Sequence, residues 1–341
     1  MSEPKRIYSP IRYAGGKTKA AKLIAPHVPS GVKRIISPFI GGASFELYMA
    51  TIRPDIEVVG YDIFQPLVEF WNLVLKSPKE LSDAVAEYKP TKTCFTETRE
   101  ELKEWWEQHK DIVKRGDKIL FENDIKRLKF VAMYYYNHQY SYGPMFLGWP
   151  SSVYLKAKVH KQIIARLRDF KCPNLKVKWG DFQQVMSKHS DDFVYADPPY
   201  YERMDEDADS GKKNELFKPL YPNCNFPIHH RGFDHDALRD LLKSHKGGFI
   251  LSYNNCPTIR EWYKEFRFEY PTWHYSYSQG EKRIGVNREV KVGVVEKKMT
   301  EEQKQQAQKK ESHEVLVINT SPSAPLMNAI SSGLFAGTDT F

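Results

Sequence analysis

Cysteine is scarce. The 341 residues hold four, Cys94, Cys172, Cys224 and Cys256, far apart and with no C-x-x-C pair. Such spacing builds neither a disulfide framework nor a cysteine zinc site, and free thiols suit a reducing compartment. Long apolar runs are missing as well: no stretch of about 18 apolar residues occurs, so no spanning helix and no membrane partner are expected. The opening MSEPKRIYSP has no apolar h-region of the secretory kind, and a cytoplasmic protein is expected. Internal repeats are absent, and so is the G-x-G-x-x-G fingerprint of dinucleotide enzymes. Acidic residues are outnumbered, 43 Asp and Glu against 51 Lys and Arg, for a net charge of +8. That balance favours a polyanionic partner such as nucleic acid, although a merely basic soluble protein shares it.

What is present reads as an interrupted α/β chain. Residues 8–28 hold a Gly-Gly turn and then a helical pattern with Lys19 and Lys22 outward. The strand-like RIISPF runs into IGGAS and a helical FELYMA, and EVVGY ends at Asp62 before a helix over 67–75. Residues 77–157 break the alternation: they are charged, rich in Trp and Lys, and helical in spacing, and they end in the Tyr- and Gly-dense VAMYYYNHQYSYGPMFLGWPSS. Alternation resumes with a helix at 158–170, a strand near 176–179, a helix at 182–188, and the strand FVYA. A polar loop over 201–232 precedes a helix at 236–244, a strand at 248–253 and a helix at 257–266. Strands alternating with helices predict a doubly wound, Rossmann-like parallel sheet. Residues 298–312 are charged and low in complexity, 314–319 read as a strand, and 321–341 as a disordered tail.

The stretch VYADPPYYER concentrates the chemistry. Pro-Pro ends a strand anywhere, so a plain turn is one reading. The other is that Asp197, a proline carbonyl and Tyr200 grip a planar ring bearing an amino group. Upstream, PFIGGASFEL pairs glycines after a strand, which lets a ligand approach the backbone at a helix N-terminus. Asp62 stands 21 residues beyond Gly41, where a carboxylate accepts hydrogen bonds from ribose hydroxyls. YAGGKT is not a P-loop, because the glycine needed five positions before Gly16 is Ile11. Lys17 there pairs with a ligand carboxylate or is simply a solvated lysine at a helix start. The cluster HHRGFDH, with His229, His230 and His235, lacks a cysteine or carboxylate at ligand spacing, and no metal is expected.

IRYAGGKTK, SPFIGGASFEL, Asp62, a large insertion and DPPY, in that order, resemble the DNA adenine-N6 methyltransferases of the Dam-like class over residues 8–297. The resemblance implies S-adenosylmethionine as cofactor and double-stranded DNA as partner. It makes 1–76 and 158–320 a discontinuous catalytic domain and 77–157 a target-recognition insertion with a hairpin near 137–150. It also implies Tyr13 and Lys17 at the methionine end, Phe39, Gly41 and Gly42 as the cradle, and Asp62 on the ribose. Asp181 and Phe182 then meet the adenine of the cofactor, though core packing also accounts for Phe182. Asp197 and the Pro198 carbonyl accept the two N–H bonds of the target amino group, Pro199 stiffens the turn, and Tyr200 stacks on a flipped base. Arg12 and the polar and tyrosine side chains of NHQYSYG (Asn137, His138, Gln139, Tyr140, Tyr142) are implied DNA contacts, with Lys126 and Lys129 as phosphate contacts. A cognate restriction nuclease is a conceivable companion, and the expected assembly is a monomer or weak dimer.

Other readings stay open on the residues alone. Cytosine-N4 or RNA adenine methylation uses the same chemistry, although Asp at the head of DPPY favours adenine. A DNA-binding relative without catalysis is a different class, opposed by intact Lys17, Asp62 and DPPY. A Rossmann oxidoreductase lacks its fingerprint.

Overall fold

The computed structural model describes residues 6–114, 117–201, 233–271 and 314–320. The loop with His229 and His230, Cys224, the charged segment 298–312 and the tail 321–341 lie outside the described residues.

Seven strands form one sheet: β1 (Arg34–Ser37), β2 (Glu57–Asp62), β3 (Leu175–Trp179), β4 (Phe193–Ala196), β5 (Phe249–Asn254), β6 (Arg267–Glu269) and β7 (Glu314–Asn319). Their order is β3-β2-β1-β4-β5-β7-β6. The first five pair in parallel, and β7 runs antiparallel to both β5 and β6. Parallel strands need covered faces, and the residues alternate accordingly. Ile35, Val58, Tyr195 and Ile250 enter one core, while Ile36, Val59, Val194 and Leu251 enter the other. Strand order reverses between β1 and β4, so the crevice at their carboxyl ends is where a ligand is expected to bind.

The helical pattern after the first Gly-Gly turn is shorter than expected. Only one turn, α1 (Ala21–Ile24), and a 3-10 turn (Ala25–His27) form, because Pro26 interrupts the backbone ladder. The expected helices are otherwise present: α2 (Ser44–Ile52), α3 (Gln65–Lys76), α7 (Ala157–Arg168), α8 (Phe182–Lys188), α9 (His235–Ser244) and α10 (Pro257–Trp262).

The insertion supplies α4 (Pro78–Ala86), α5 (Lys92–Lys114) and α6 (Asp124–Tyr140). Asn123 caps α6 by accepting from the Lys126 N–H at 2.9 Å. From Phe130 to Tyr140 every residue of α6 is buried, polar Asn137, His138 and Gln139 included, whereas its first turns, rich in Lys and Arg, reach the surface. Phe70 stacks on Tyr135 with ring centroids 5.0 Å apart, which joins α3 to α6. The buried cluster on this side of the sheet therefore runs from Ile35 and Val58 into Phe95, Phe130 and Tyr136. The insertion shares its core with the α/β unit.

Candidate active site

The crevice between β1 and β4 holds a cavity of about 470 Å³. After β1 the chain turns through Pro38, Phe39, Ile40, Gly41 and Gly42 before α2 begins. Gly41 has a φ of +46°, which favours glycine. A Cβ on Gly42 would stand 2.6 Å from the Tyr13 Cβ, so the YAGGK turn packs directly on the second glycine. Phe39 lies 5.6 Å from Phe182 between ring centroids, and both rings line the cavity. Phe182 thus packs and lines at once. Asp181 caps α8, accepting from the Gln183 N–H at 2.9 Å, and borders the same space.

Asp62 ends β2 and is fixed from two sides. Its Oδ2 accepts from the Gly41 N–H at 3.3 Å and its Oδ1 from the Phe64 N–H at 2.9 Å. Burial outweighs these bonds and pushes its pKa up to about 6. A carboxylate has about four lone-pair sites, so two bonds leave capacity for hydroxyl donors.

β4 ends at Ala196, and the Asp-Pro-Pro-Tyr turn follows at the cavity. Asp197 Oδ1 is 2.9 Å from Lys17 Nζ, in a pair where the lysine is 4% exposed and the aspartate 20%. Lys17 also donates to the Tyr200 hydroxyl at 2.9 Å and to the Gly15 carbonyl at 3.2 Å. Its three donors thus have partners within the protein. Lys17 therefore braces the turn while lining the cavity. Burial raises the pKa of Asp197, with Lys17 opposing the rise. Pro198 and Pro199 line the cavity too. Tyr200 lies 6.0 Å from Tyr253 between centroids, at 29°. Tyr201 is a packing residue. It meets His235 and Trp262 edge-on, and Asn254 holds its backbone N–H and C=O at 3.0 and 2.9 Å.

Two carboxyl groups that the sequence reading passed over belong to this network. Glu314, at the start of β7, is buried and stands 3.6 Å from Lys17 Nζ, with Ser252 donating to it at 3.2 Å. Glu46, on the first turn of α2, accepts from Ser37 Oγ at 2.6 Å, and burial pushes its pKa to about 7. The readable signal was a lone acid on an otherwise apolar strand or helix face, which costs several kcal/mol unless partnered.

The expected DNA contacts divide sharply. Arg12 is half-buried against the end of α6: its guanidinium donates to the carbonyls of Gln139, Ser141 and Tyr142 at 2.9, 2.8 and 3.3 Å. It also lies 3.6 Å from the centre of the Tyr154 ring. Asn137, His138, Gln139 and Tyr140 are not hairpin residues but the buried last turn of α6. Gln139 Oε1 accepts from the Arg12 N–H at 2.7 Å, and His138 Nε2 meets the Arg12 carbonyl at 2.8 Å. Gln139 and His138 thus hold the Arg12 backbone, and the Tyr140 hydroxyl bonds His160 Nδ1 at 2.7 Å. The hairpin itself starts later. Ser141 bridges Pro150, and the Tyr142 N–H donates to the Trp149 carbonyl at 2.7 Å. Tyr142 (47% exposed) and Trp149 (67%) project from it, and Arg99 lies over the Trp149 ring at 4.5 Å. Lys126 and Lys129 are exposed and paired with Glu122 and Glu101 at 2.5 and 3.0 Å.

Among the described residues no group of His, Cys, Asp and Glu is arranged to hold a metal ion. No helix among them is long and apolar enough to cross a membrane.

A sheet of this order, with a glycine turn after β1, an acid closing β2 and Asp-Pro-Pro-Tyr after β4, defines a Rossmann-like methyltransferase. The profile of the D12 class N6 adenine-specific DNA methyltransferase family matches residues 13–277, and the chain belongs to that family. Curated relatives agree. The Type II methyltransferase M1.LlaDCHI of Lactococcus lactis subsp. cremoris is 25% identical over 267 residues, covering 75% of this chain and 84% of the relative. The Type II methyltransferase M.MjaIII of Methanocaldococcus jannaschii is 23% identical over 204 residues, covering 56% and 68%.

Proposed function

We propose that this adenine-specific DNA methyltransferase transfers the methyl group of S-adenosylmethionine to the N6 amino group of an adenine flipped out of double-stranded DNA. The observation that carries the reading is the placement of Asp197. It follows β4 directly and lines the cavity, fixed by Lys17 at 2.9 Å and followed by two prolines.

The cavity suits the cofactor. Its described lining holds five carboxyl groups, Glu46, Asp62, Asp181, Asp197 and Asp234, against a single cationic side chain, Lys17. S-adenosylmethionine carries a sulfonium and an ammonium against one carboxylate, so an acidic surplus matches its charge. Tyr13 and the turn to Lys17 flank the methionine end, Phe39, Gly41 and Gly42 cradle it, and Asp62 takes ribose hydroxyls. Asp181 and Phe182 bound the adenine of the cofactor. The cofactor supplies an electrophilic methyl group on its sulfonium.

The protein supplies orientation. The target nitrogen is a poor nucleophile because its lone pair is delocalised into the ring. Asp197 and the Pro198 carbonyl accept its two N–H bonds and direct the lone pair at the methyl group, a preorganised geometry with no metal and no covalent enzyme intermediate. Lys17 opposes the rise that burial imposes on the Asp197 pKa and braces Tyr200, whose ring takes the flipped base. Tyr142 and Trp149, exposed on the hairpin after α6, are the candidates to wedge into the base stack, a reading their exposure supports. By extension from the relatives, the methylation is of the site-specific Type II kind, which would pair it with a restriction nuclease. Asp197→Asn tests the assignment: it keeps the shape of the side chain, and methyl transfer should fall while S-adenosylmethionine still binds. Full turnover by that variant would overturn it.

A further inference from the structure

One wall of the cavity comes from the insertion, and two of its polar atoms have no partner. Tyr134 lies on α6, 1% exposed, and its hydroxyl has no hydrogen-bond partner among the described residues. Its ring meets Phe64 edge-on at 6.0 Å, and Phe64 is the residue whose N–H holds Asp62. The charge of Asp62 adds to burial in raising the Tyr134 pKa, so the two groups share one electrostatic environment. One helical turn later, His138 stacks on Tyr13 at 5.9 Å and 19°. Its Nε2 must carry the proton, because the partner at 2.8 Å is the Arg12 carbonyl. Nδ1 is then a bare acceptor, buried and also without a partner. Burial lowers the His138 pKa to about 4, which keeps the ring neutral at physiological pH.

A buried hydroxyl with no partner destabilises a fold unless something else satisfies it. Both side chains line the cavity. Resting on the proposed S-adenosylmethionine site, we infer that Tyr134 and His138 bind that cofactor from the insertion side, Tyr134 sharing a ribose hydroxyl with Asp62 and His138 accepting through Nδ1. The insertion helix is therefore part of the cofactor site, and the hairpin that begins at Ser141 is seated on a helix that touches the ligand.

Tyr134→Phe tests this, because it removes only the hydroxyl. Binding is measured by calorimetry with S-adenosylhomocysteine, which cannot turn over, alongside thermal unfolding of the free protein. The variant should bind about threefold to tenfold more weakly, while its unfolding temperature holds or rises. The loss should vanish for either the 2′-deoxy or the 3′-deoxy form of the ligand, whichever lacks the shared hydroxyl. Unchanged affinity, or an equal loss for every ligand together with a lower unfolding temperature, would overturn the inference and leave Tyr134 as packing. Failure of the wild-type protein to bind S-adenosylhomocysteine would instead overturn the cavity assignment, and the inference with it.

Discussion

The carboxyl edge of the sheet and the insertion that leans on it solve different problems with the same residue types. At the edge, polar groups are few, fixed by backbone geometry, and aimed at one cavity: Asp62 by the Gly41 and Phe64 N–H groups, Asp197 by Lys17. In the insertion, tyrosines, histidine and amides are dense, and most are buried in α6 as structure. Gln139 spends its side-chain oxygen on the Arg12 N–H, whereas Asp62 accepts from two backbone N–H groups and keeps lone-pair capacity beyond them. A polar residue in a nucleic-acid enzyme is thus not a base reader by type. Which backbone groups claim it decides.

The largest expected effect lies at the edge. Asp197→Ala should reduce methyl transfer by on the order of 10³-fold or more, with circular dichroism and cofactor binding nearly unchanged. Retained turnover in a labelled-methyl assay would remove the assignment of the chemistry to the edge.

Asp62→Ala should weaken S-adenosylmethionine binding about tenfold or more, as bonds to a charged acceptor are worth roughly 1.5–3 kcal/mol. The pH dependence sharpens this. With a folded pKa of about 6 against an ordinary 3.8, Asp62 is neutral in the folded chain below about pH 6. Affinity should therefore fall as pH drops through that value, and should not do so in Asp62→Asn. The sign for stability is opposite: between those two pKa values the folded state binds more protons, so this group makes stability decline as pH rises through the window. A flat affinity profile in calorimetry at constant ionic strength would mean the ribose is held elsewhere.

Gln139→Ala should cost about 1–3 kcal/mol in denaturant unfolding, since it strips the acceptor from a part-buried N–H of Arg12. It should leave preference at any single base position intact. Tyr142→Ala and Trp149→Ala should do the reverse, altering methylation of a randomised oligonucleotide pool with little change in stability. If Gln139→Ala shifts base preference alone, the buried turn of α6 reads DNA after all. The smallest effects belong to Lys126→Ala and Lys129→Ala, each reducing the salt slope of DNA binding by about 0.9 if it meets one phosphate. Their exposed ion pairs with Glu122 and Glu101 contribute little to stability.

The sheet was legible because its signals are local. RIIS, EVVGYD and FVYA are largely apolar runs ended by an acid or proline, and α8 falls on the residues its spacing predicted, Phe182–Lys188. β6, three residues long, has no periodicity to read. The roles of Lys17 and Arg12 were not legible, because they depend on contacts across more than a hundred residues, to Asp197 and to Gln139. NHQYSYG misled for a related reason: its polar letters suggest a solvated hairpin, and only packing of α6 among its neighbouring helices and the Arg12-Tyr13 segment buries its first four residues. Glu46 and Glu314 escaped notice because an isolated acid in an apolar run resembles an edge or a cap until Ser37, Ser252 and Lys17 are placed around it.

The most direct test identifies the product. Double-stranded DNA incubated with the protein and methyl-labelled S-adenosylmethionine is digested to nucleosides, and the labelled species are resolved by mass. The label is predicted in N6-methyldeoxyadenosine alone, and absent there when Asp197→Ala replaces the wild-type chain. Label in a methylated cytosine, or N6-methyldeoxyadenosine formed equally by the variant, would contradict the account of an adenine amino group held at the Asp-Pro-Pro-Tyr turn.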